Sequence, residues 1–555
     1  MIDKKLTVAI LLLLIWSVIY AQNSTELSDK YISYRNRLLD EWIIISPDVE
    51  QFGVNIPAVD RIMDSLGNPR WVSWSDGNSN FNHWLGILAT EYRLLKDNEQ
   101  DYQETLSMLI YSMIALERLD LYSEYALRKH HKTDTAECEY ELIHYPEDIN
   151  GFLIRDDVSL GFWRQYFRHF KSDYGWHNST GDGTNRYLSV FQKGVIAKEG
   201  MSQDNIIYLM QSLALVKKLV DDENISKIEI NFINDYIPDY LKSKKILQDN
   251  IISFDNWVDD LTDRLVKRCF HEYPEQEVVL KITDDKAYPS KTKFGGIMSS
   301  YWYISNPVTN DLVAEGNGED MGVWMNSYGI AEAAHFITGK NYHSDGSEKG
   351  LNAYLFKALL FKNLKFLKHG GFPIPDNIDD YMFRALASIS DINWEIESYD
   401  LLFLLGDKRP GWTYEHNPLI LYILHPDKYK NVYAPGIDFF EKDRKYYKEL
   451  LGYAPFNGPT TDYRRTDYHP YWSSSSRLNW PNNKGNRNIR EVREYAGMDY
   501  MLLYNLYRLV FEPEGYVLPK DRRNEILTKS AKTYPVPDMK NIDADFYYMP
   551  PKLEK

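Results

Sequence analysis

The densest collection of acid–base and hydrogen-bonding side chains lies between Gly151 and Leu219. Trp176, His177 and Asn178 precede a turn with two glycines, Gly181-Asp182-Gly183, and Arg186 and Tyr187 follow it. Histidine titrates near neutral pH, so His177 can be unprotonated and accept a proton. Tyrosine starts protonated, so Tyr187 can donate one, and the guanidinium of Arg186 would ease that exchange by lowering its pKa. Asn178 and Arg186 are donor types that offset a carboxylate. The glycines let backbone approach a ligand closely, and Trp176 offers a flat ring. The segment empties onto a helix start at Met201-Ser202-Gln203-Asp204, which puts Gln203 and Asp204 at its mouth. A polar loop running onto a helix N-terminus is one way to build a sugar-binding cleft. A surface turn with incidental polar groups fits the same residues.

A second such stretch runs from Asp462 to Trp480. Arg464 and Arg465 could grip carboxylate or sulfate, because a guanidinium bonds planar anions through two parallel N–H groups. His469 and Trp472 add an imidazole and a ring. A solvated charged loop is the plainer account. His335, on an apolar helical face, reads as a core histidine.

The elements that must position these groups are helical. Apolar residues recur at the 3.6 period over 104–127, 228–242, 254–270, 351–368 and 441–451, with one side polar. The runs 82–95, 203–219, 319–338, 393–405, 417–425 and 497–511 are apolar nearly all round, which means buried. About six buried helices alternating with outer ones predict a mostly α fold, an (α/α) toroid, complete or incomplete. An entry helix spans about 26–42. Residues 45–80 are turn-rich. A strand-and-loop insertion is expected at 276–316, and a long aromatic and basic loop at 453–496. The toroid would occupy 22–512, with 513–555 an extended tail.

In a toroid the buried helices aim one set of ends at a shared cleft. Six clusters sit at such ends: Asn80, Asn82 and His83; Gln203, Asp204 and Asn205; Glu319 and Asp320; Asn393 and Glu395; Glu415, His416 and Asn417; and Glu494, Tyr495 and Asp499. Capping and the helix dipole favour Asp and Glu at a helix start, so no single cluster is decisive. Only their convergence would be.

The net charge of −16 argues against general nucleic-acid binding, though a local basic cleft could still take an anion. A content of 43 Tyr and 14 Trp suits either core packing or stacking on sugar faces. Lys4 and Lys5, the apolar run Ala9–Tyr20 and the small residue Ala21 read as a signal peptide cleaved before Gln22, giving a secreted or periplasmic chain. That run is too short for a confident transmembrane span. Cys138 and Cys269 are too few for a disulfide framework or a cysteine zinc site. No P-loop, dinucleotide fingerprint, Gly-x-Ser-x-Gly elbow or His-Glu-x-x-His motif is present. No cofactor is expected, and Ca²⁺ held by scattered carboxylates stays open.

The segment Tyr20-Ala21-Gln22, the Asn-, Lys-, Tyr- and Ile-rich composition and the alternating helices resemble exported polysaccharide-degrading enzymes of marine Bacteroidetes. More narrowly, they resemble toroid-type polysaccharide lyases, ulvan lyases in particular. The resemblance implies β-elimination on a uronic-acid-containing, sulfated polysaccharide. A neutraliser offsets the carboxylate, a base removes the C5 proton, and an acid protonates the oxygen leaving C4. His177, Tyr187, Asn178 and Arg186 supply those types, with Arg464, Arg465 and His469 for sulfate or further uronates. No family motif aligns residue by residue. A glycoside hydrolase would instead need two carboxylates across the scissile bond, Asp204 with Glu319 or Asp320. A non-catalytic glycan binder would need the rings alone.

Overall fold

The computed structural model describes residues 26–42, 57, 60–63, 69–73, 77–121, 149–151, 153, 203–228, 230, 236–270, 321–342, 385, 388–390, 415–426, 439–462, 464–469, 472 and 492–518. These residues are mostly helical. Helix α1 covers 26–37 and continues as a π-helical turn, Leu38–Trp42. It is followed by α2 (Gly77–Asp97), α3 (Gln103–Leu121), α4 (Gln203–Leu219), α5 (Tyr236–Ser243) and α6 (Phe254–Phe270). The remainder are α7 (Met321–Thr338), α8 (His416–Leu424), α9 (Phe439–Gly452) and α10 (Met498–Phe511).

Burial follows the sequence pattern. In α4, Ile206, Ile207, Leu209, Met210, Leu213, Leu215 and Val216 point to every side of the helix and all are buried, as expected for a helix without a polar face. Helix α10 is the same, with Tyr500, Leu503, Tyr504, Leu506 and Tyr507 inside. By contrast α6 turns Trp257, Val258, Leu261 and Leu265 inward at three- and four-residue spacing. The all-apolar helices pack in a closed circuit: α2 against α4, α4 against α8, α8 against α10, and α10 back against α2. Helix α3 leans on α2, α6 and α7 on α4, and α9 on α10.

Three expectations are corrected. Helix α3 is not one-sided: every residue from Glu104 to Leu121 is buried. Its acidic groups meet cations instead of water. Arg35 joins Glu104 at 2.7 Å and Glu91 at 2.9 Å, while Arg264 holds Glu117 at 2.8 Å and also pairs with Asp120. In the segment 228–242 the described residues 228 and 230 are not helical, and the described helix begins at Tyr236, with Pro238 in its first turn, where no N–H is required. The preceding chain contributes β3 (Glu223–Asn224) to a small antiparallel sheet of order β3-β5-β4, with β4 at Leu247–Gln248 and β5 at Ile251–Ile252. Finally, the turn-rich stretch after α1 and the long loop before α10 contain paired strands. These are β1 (Asp60–Met63), β2 (Pro69–Ser73) and β6 (Val492–Tyr495), antiparallel in the order β2-β1-β6. They tie the two ends of the described chain together, and Arg61 fastens β1 to β6 through Glu494 at 2.8 Å.

The body also runs past residue 512. Tyr516 is buried and its hydroxyl donates to Asn505 Oδ1 at 3.1 Å. Asn505 in turn donates to the Tyr31 hydroxyl at 3.0 Å, and Tyr31 donates to Glu91 at 2.7 Å. One hydrogen-bonded chain thus joins the tail, α10, α1 and α2. No described helix is long and apolar enough to cross a membrane. The leader 1–21, the insertion 276–316, the helices expected at 351–368 and 393–405, and Cys138 lie outside the described residues, as does everything beyond Leu518.

Candidate functional site: a buried polar cluster where three helices meet

The second turn of α2 meets the first turns of α8 and α10, and these turns carry polar residues that the sequence places at buried helix ends; α2 starts at Gly77, earlier than the expected Asn82. Asn82 and His83 come from α2, His416 and Asn417 from α8, and Asp499 from α10; all five are buried. The rings of His83 and His416 meet edge to face with centroids 5.6 Å apart. His416 Nε2 lies 2.8 Å from the carbonyl oxygen of Asp499. A carbonyl only accepts, so Nε2 carries the proton and Nδ1 is the basic nitrogen of the neutral ring.

Local sequence explains why α10 can come so near. Gly497 caps the helix at a φ of 82°, and a Cβ there would lie 2.5 Å from the Tyr34 ring. Glycine alone satisfies both conditions. Two residues on, Asp499 sits in the first turn, where an acidic side chain favours the positive end of the helix dipole.

The electrostatics are unusual. Burial lifts the Asp499 carboxyl to about 7, opposed only by the backbone N–H groups of Tyr500 and of Asp499 itself. Its Oδ1 makes no hydrogen bond among the described residues, nor does Asn417 Nδ2. Buried polar atoms normally find partners, so two orphans in one cluster single it out as the candidate site. The other side of the Asn417 amide is well held: Gln211 Nε2 donates to Asn417 Oδ1 at 2.7 Å and to Ser388 Oγ at 2.9 Å. At the rim, burial also raises the Glu415 carboxyl, which accepts a 2.8 Å hydrogen bond from the Tyr446 hydroxyl. Among the described residues no group of three or more His, Cys, Asp or Glu is placed to hold a metal ion.

Of the six helix-end clusters, three therefore meet. Gln203 and Asp204 open α4, as expected, but their side chains lie outside the description. Glu319, Asp320, Asn393 and Glu395 are outside it too, and so are Trp176, His177, Asn178, Arg186 and Tyr187. Glu494 belongs to the sheet, through Arg61.

In the second aromatic and basic stretch, residues 462, 464–469 and 472 are described. Arg464 forms a two-point pair with Asp462, with N–O distances of 2.7 and 3.0 Å. Arg465 does the same with Asp467 at 2.8 and 2.5 Å. Both carboxyls are held below their usual range by those hydrogen bonds. The guanidiniums expected to grip a substrate anion are thus engaged by carboxylates two residues away. Trp472, expected as a sugar platform, is 1% exposed, donates from Nε1 to the Leu450 carbonyl at 3.1 Å and packs edge-on against Tyr500. It is a core ring, because its large apolar surface is worth more buried than offered. His335 is not a buried core histidine: it is exposed, and its Nδ1 lies 2.8 Å from the Lys340 carbonyl oxygen. His469 stands parallel to Tyr453, 4.5 Å between centroids.

Gln211 and Ser388 were missed from sequence. Gln211 carried a signal, since it is a polar residue inside an all-apolar helix, and such a residue must find a buried partner. Ser388 carried none. No family model matches this chain, and no curated protein and no solved structure matches it either.

Proposed function

We propose that the chain is an exported polysaccharide lyase, built on a toroid-type ring of helices and cleaving a uronic-acid-containing, ulvan-like chain by β-elimination. The observation that carries the reading is the convergence of two imidazoles, two amides and a protonated carboxylic acid where the second turn of α2 meets the starts of α8 and α10. Two helix N-termini, those of α8 and α10, favour negative charge in their neighbourhood, which suits a uronate carboxylate, and the orphaned Asn417 Nδ2 is a donor of the type that offsets it. His416 Nδ1 takes the C5 proton. The C4–oxygen bond breaks as the C4–C5 double bond forms, and the Asp499 carboxyl, protonated below about 7, gives its proton to the leaving oxygen. The closed circuit of α2, α4, α8 and α10 supports the toroid. The charged and apolar leader ending at Ala21 supports export.

The test is the ultraviolet absorbance of the conjugated double bond, measured on ulvan, alginate and glycosaminoglycans. His416→Ala should lower kcat by about 10²- to 10⁴-fold, the usual contribution of a general base, in a protein that still folds. His177→Ala and Tyr187→Phe, made in parallel, decide whether base and acid lie in the loop instead. Product without unsaturation, abolished by Asp499→Asn, would replace elimination with hydrolysis.

A further inference from the structure

Helix α9 presents an aromatic strip to solvent. Tyr446 and Tyr453 are 48% and 45% exposed, and Phe456 in the following turn is 44% exposed. Residues seven apart share a helix face, and the Tyr453 N–H still bonds to the Glu449 carbonyl at 3.2 Å, so helical geometry reaches that far. The two tyrosines then stand roughly 10 Å apart along the axis, from a rise of about 1.5 Å per residue. Each is fixed. The Tyr453 hydroxyl donates to Glu449 at 2.7 Å, and His469 covers one face of its ring with an interplanar angle of 2°. The Tyr446 hydroxyl donates to Glu415, the residue before His416. The strip therefore starts at the rim of the buried cluster and leads away from it.

We infer that this strip is an outer glycan-binding subsite, on which sugar rings of an extended polysaccharide stack against Tyr446 and Tyr453 while Glu449 and Glu415 accept hydrogen bonds from hydroxyls. The chemistry selects a sugar over a helical protein partner. Two of the three exposed rings are tyrosines with carboxylates at their hydroxyls rather than members of a continuous apolar stripe, and flat faces with acceptors at their edges match a pyranose, apolar on its C–H faces and hydroxylated around its rim. Continuity with Glu415 argues that the occupant also enters the cluster. The inference rests on the polysaccharide reading but not on elimination as the reaction.

The experiment is electrophoresis of the intact protein through native gels containing ulvan, alginate, chondroitin sulfate or xylan. Wild type should be retarded by at least one uronate polymer. Tyr453→Ala with Tyr446→Ala should weaken retardation by at least about tenfold in apparent affinity, about one order of magnitude for the lost stacking. Tyr453→Trp, which keeps a flat ring, should retain binding, whereas a merely structural tyrosine would not tolerate that exchange. No retardation by any of the four polymers overturns the subsite, as does retardation that the double variant leaves unchanged. Retardation lost in the double variant, with no unsaturated product from wild type, keeps the subsite and removes the lyase.

Discussion

Among the described residues two buried carboxyl groups are lifted to about 7, Glu117 and Asp499, and in both burial is the main cause. Their surroundings differ. Glu117 lies against Arg264, whose Nη2 reaches both of its oxygens at 2.8 Å, and Trp257 Nε1 adds a third hydrogen bond at 2.8 Å. Arg264 also reaches Asp120 and, at 2.9 Å, Asp260. Asp120 in turn accepts the backbone N–H groups of Asn150 and Gly151. Gly151 is pressed so closely on the Arg264 backbone that a Cβ would lie 2.4 Å from its carbonyl oxygen. Every group in that cluster is spoken for. Asp499 has no ion pair among the described residues and an orphaned oxygen. The first region is a clamp between α3 and α6 that also docks the start of the loop at residue 151. The second leaves polar capacity unused, which costs stability unless it is retained for function.

The contrast can be broken most directly at Arg264. Arg264→Met should cost about 3–5 kcal/mol by denaturant unfolding, because it strands Glu117 and Asp120 in the interior. A loss under about 1 kcal/mol would mean the clamp is ornamental.

Asp499→Asn should do the opposite at high pH. The sign follows from linkage. The folded pKa, about 7, lies above the ordinary value of 3.8. Stability from this group is therefore complete below about 4 and is lost as pH rises through about 7, where the buried carboxyl must ionise. The Asn variant should be flatter over that window and more stable than wild type at pH 8, by roughly 2–4 kcal/mol at about 1.4 kcal/mol per unit. Equal pH slopes in the two proteins would show that Asp499 is solvated. The same group gives kcat/KM a basic limb near 7, absent in any residual activity of Asp499→Asn.

Gly497→Ala sharpens the comparison by displacing the helix start that carries Asp499. A Cβ at a φ of 82° and against the Tyr34 ring should cost about 1–3 kcal/mol. It should lower activity more than that stability loss explains. Arg464→Ala is the smallest change. Its pair with Asp462 is at the surface, the guanidinium side chain being 68% exposed, so unfolding should shift by less than about 0.5 kcal/mol. Any effect on activity should appear in KM rather than kcat.

Helix identity was legible in the sequence wherever the pattern was extreme. The runs at 203–219, 254–270 and 497–511 needed no tertiary information, since an all-round or one-sided apolar period fixes both the element and its burial. The polar residues at the starts of α8 and α10 were equally visible, whereas α2 begins at Gly77 and carries His83 in its second turn. Nothing in the chain said which of them would meet, because His83, His416 and Asp499 are joined only by the packing of α2, α8 and α10. Tertiary structure also decided what each ring and charge was for. Trp472 and Tyr453 are both aromatic residues in polar company, yet one fills the core and the other faces solvent. Arg264 and Arg464 read alike as charges; one is sealed among three carboxylates and the other pairs with its neighbour in water. α3 reads as one-sided because its carboxylates are written in the sequence, while the arginines that bury them come from distant helices. Local periodicity is a property of the backbone and survives in any context. The partner of a polar group is set by long-range packing, and that is where this protein's chemistry was assembled.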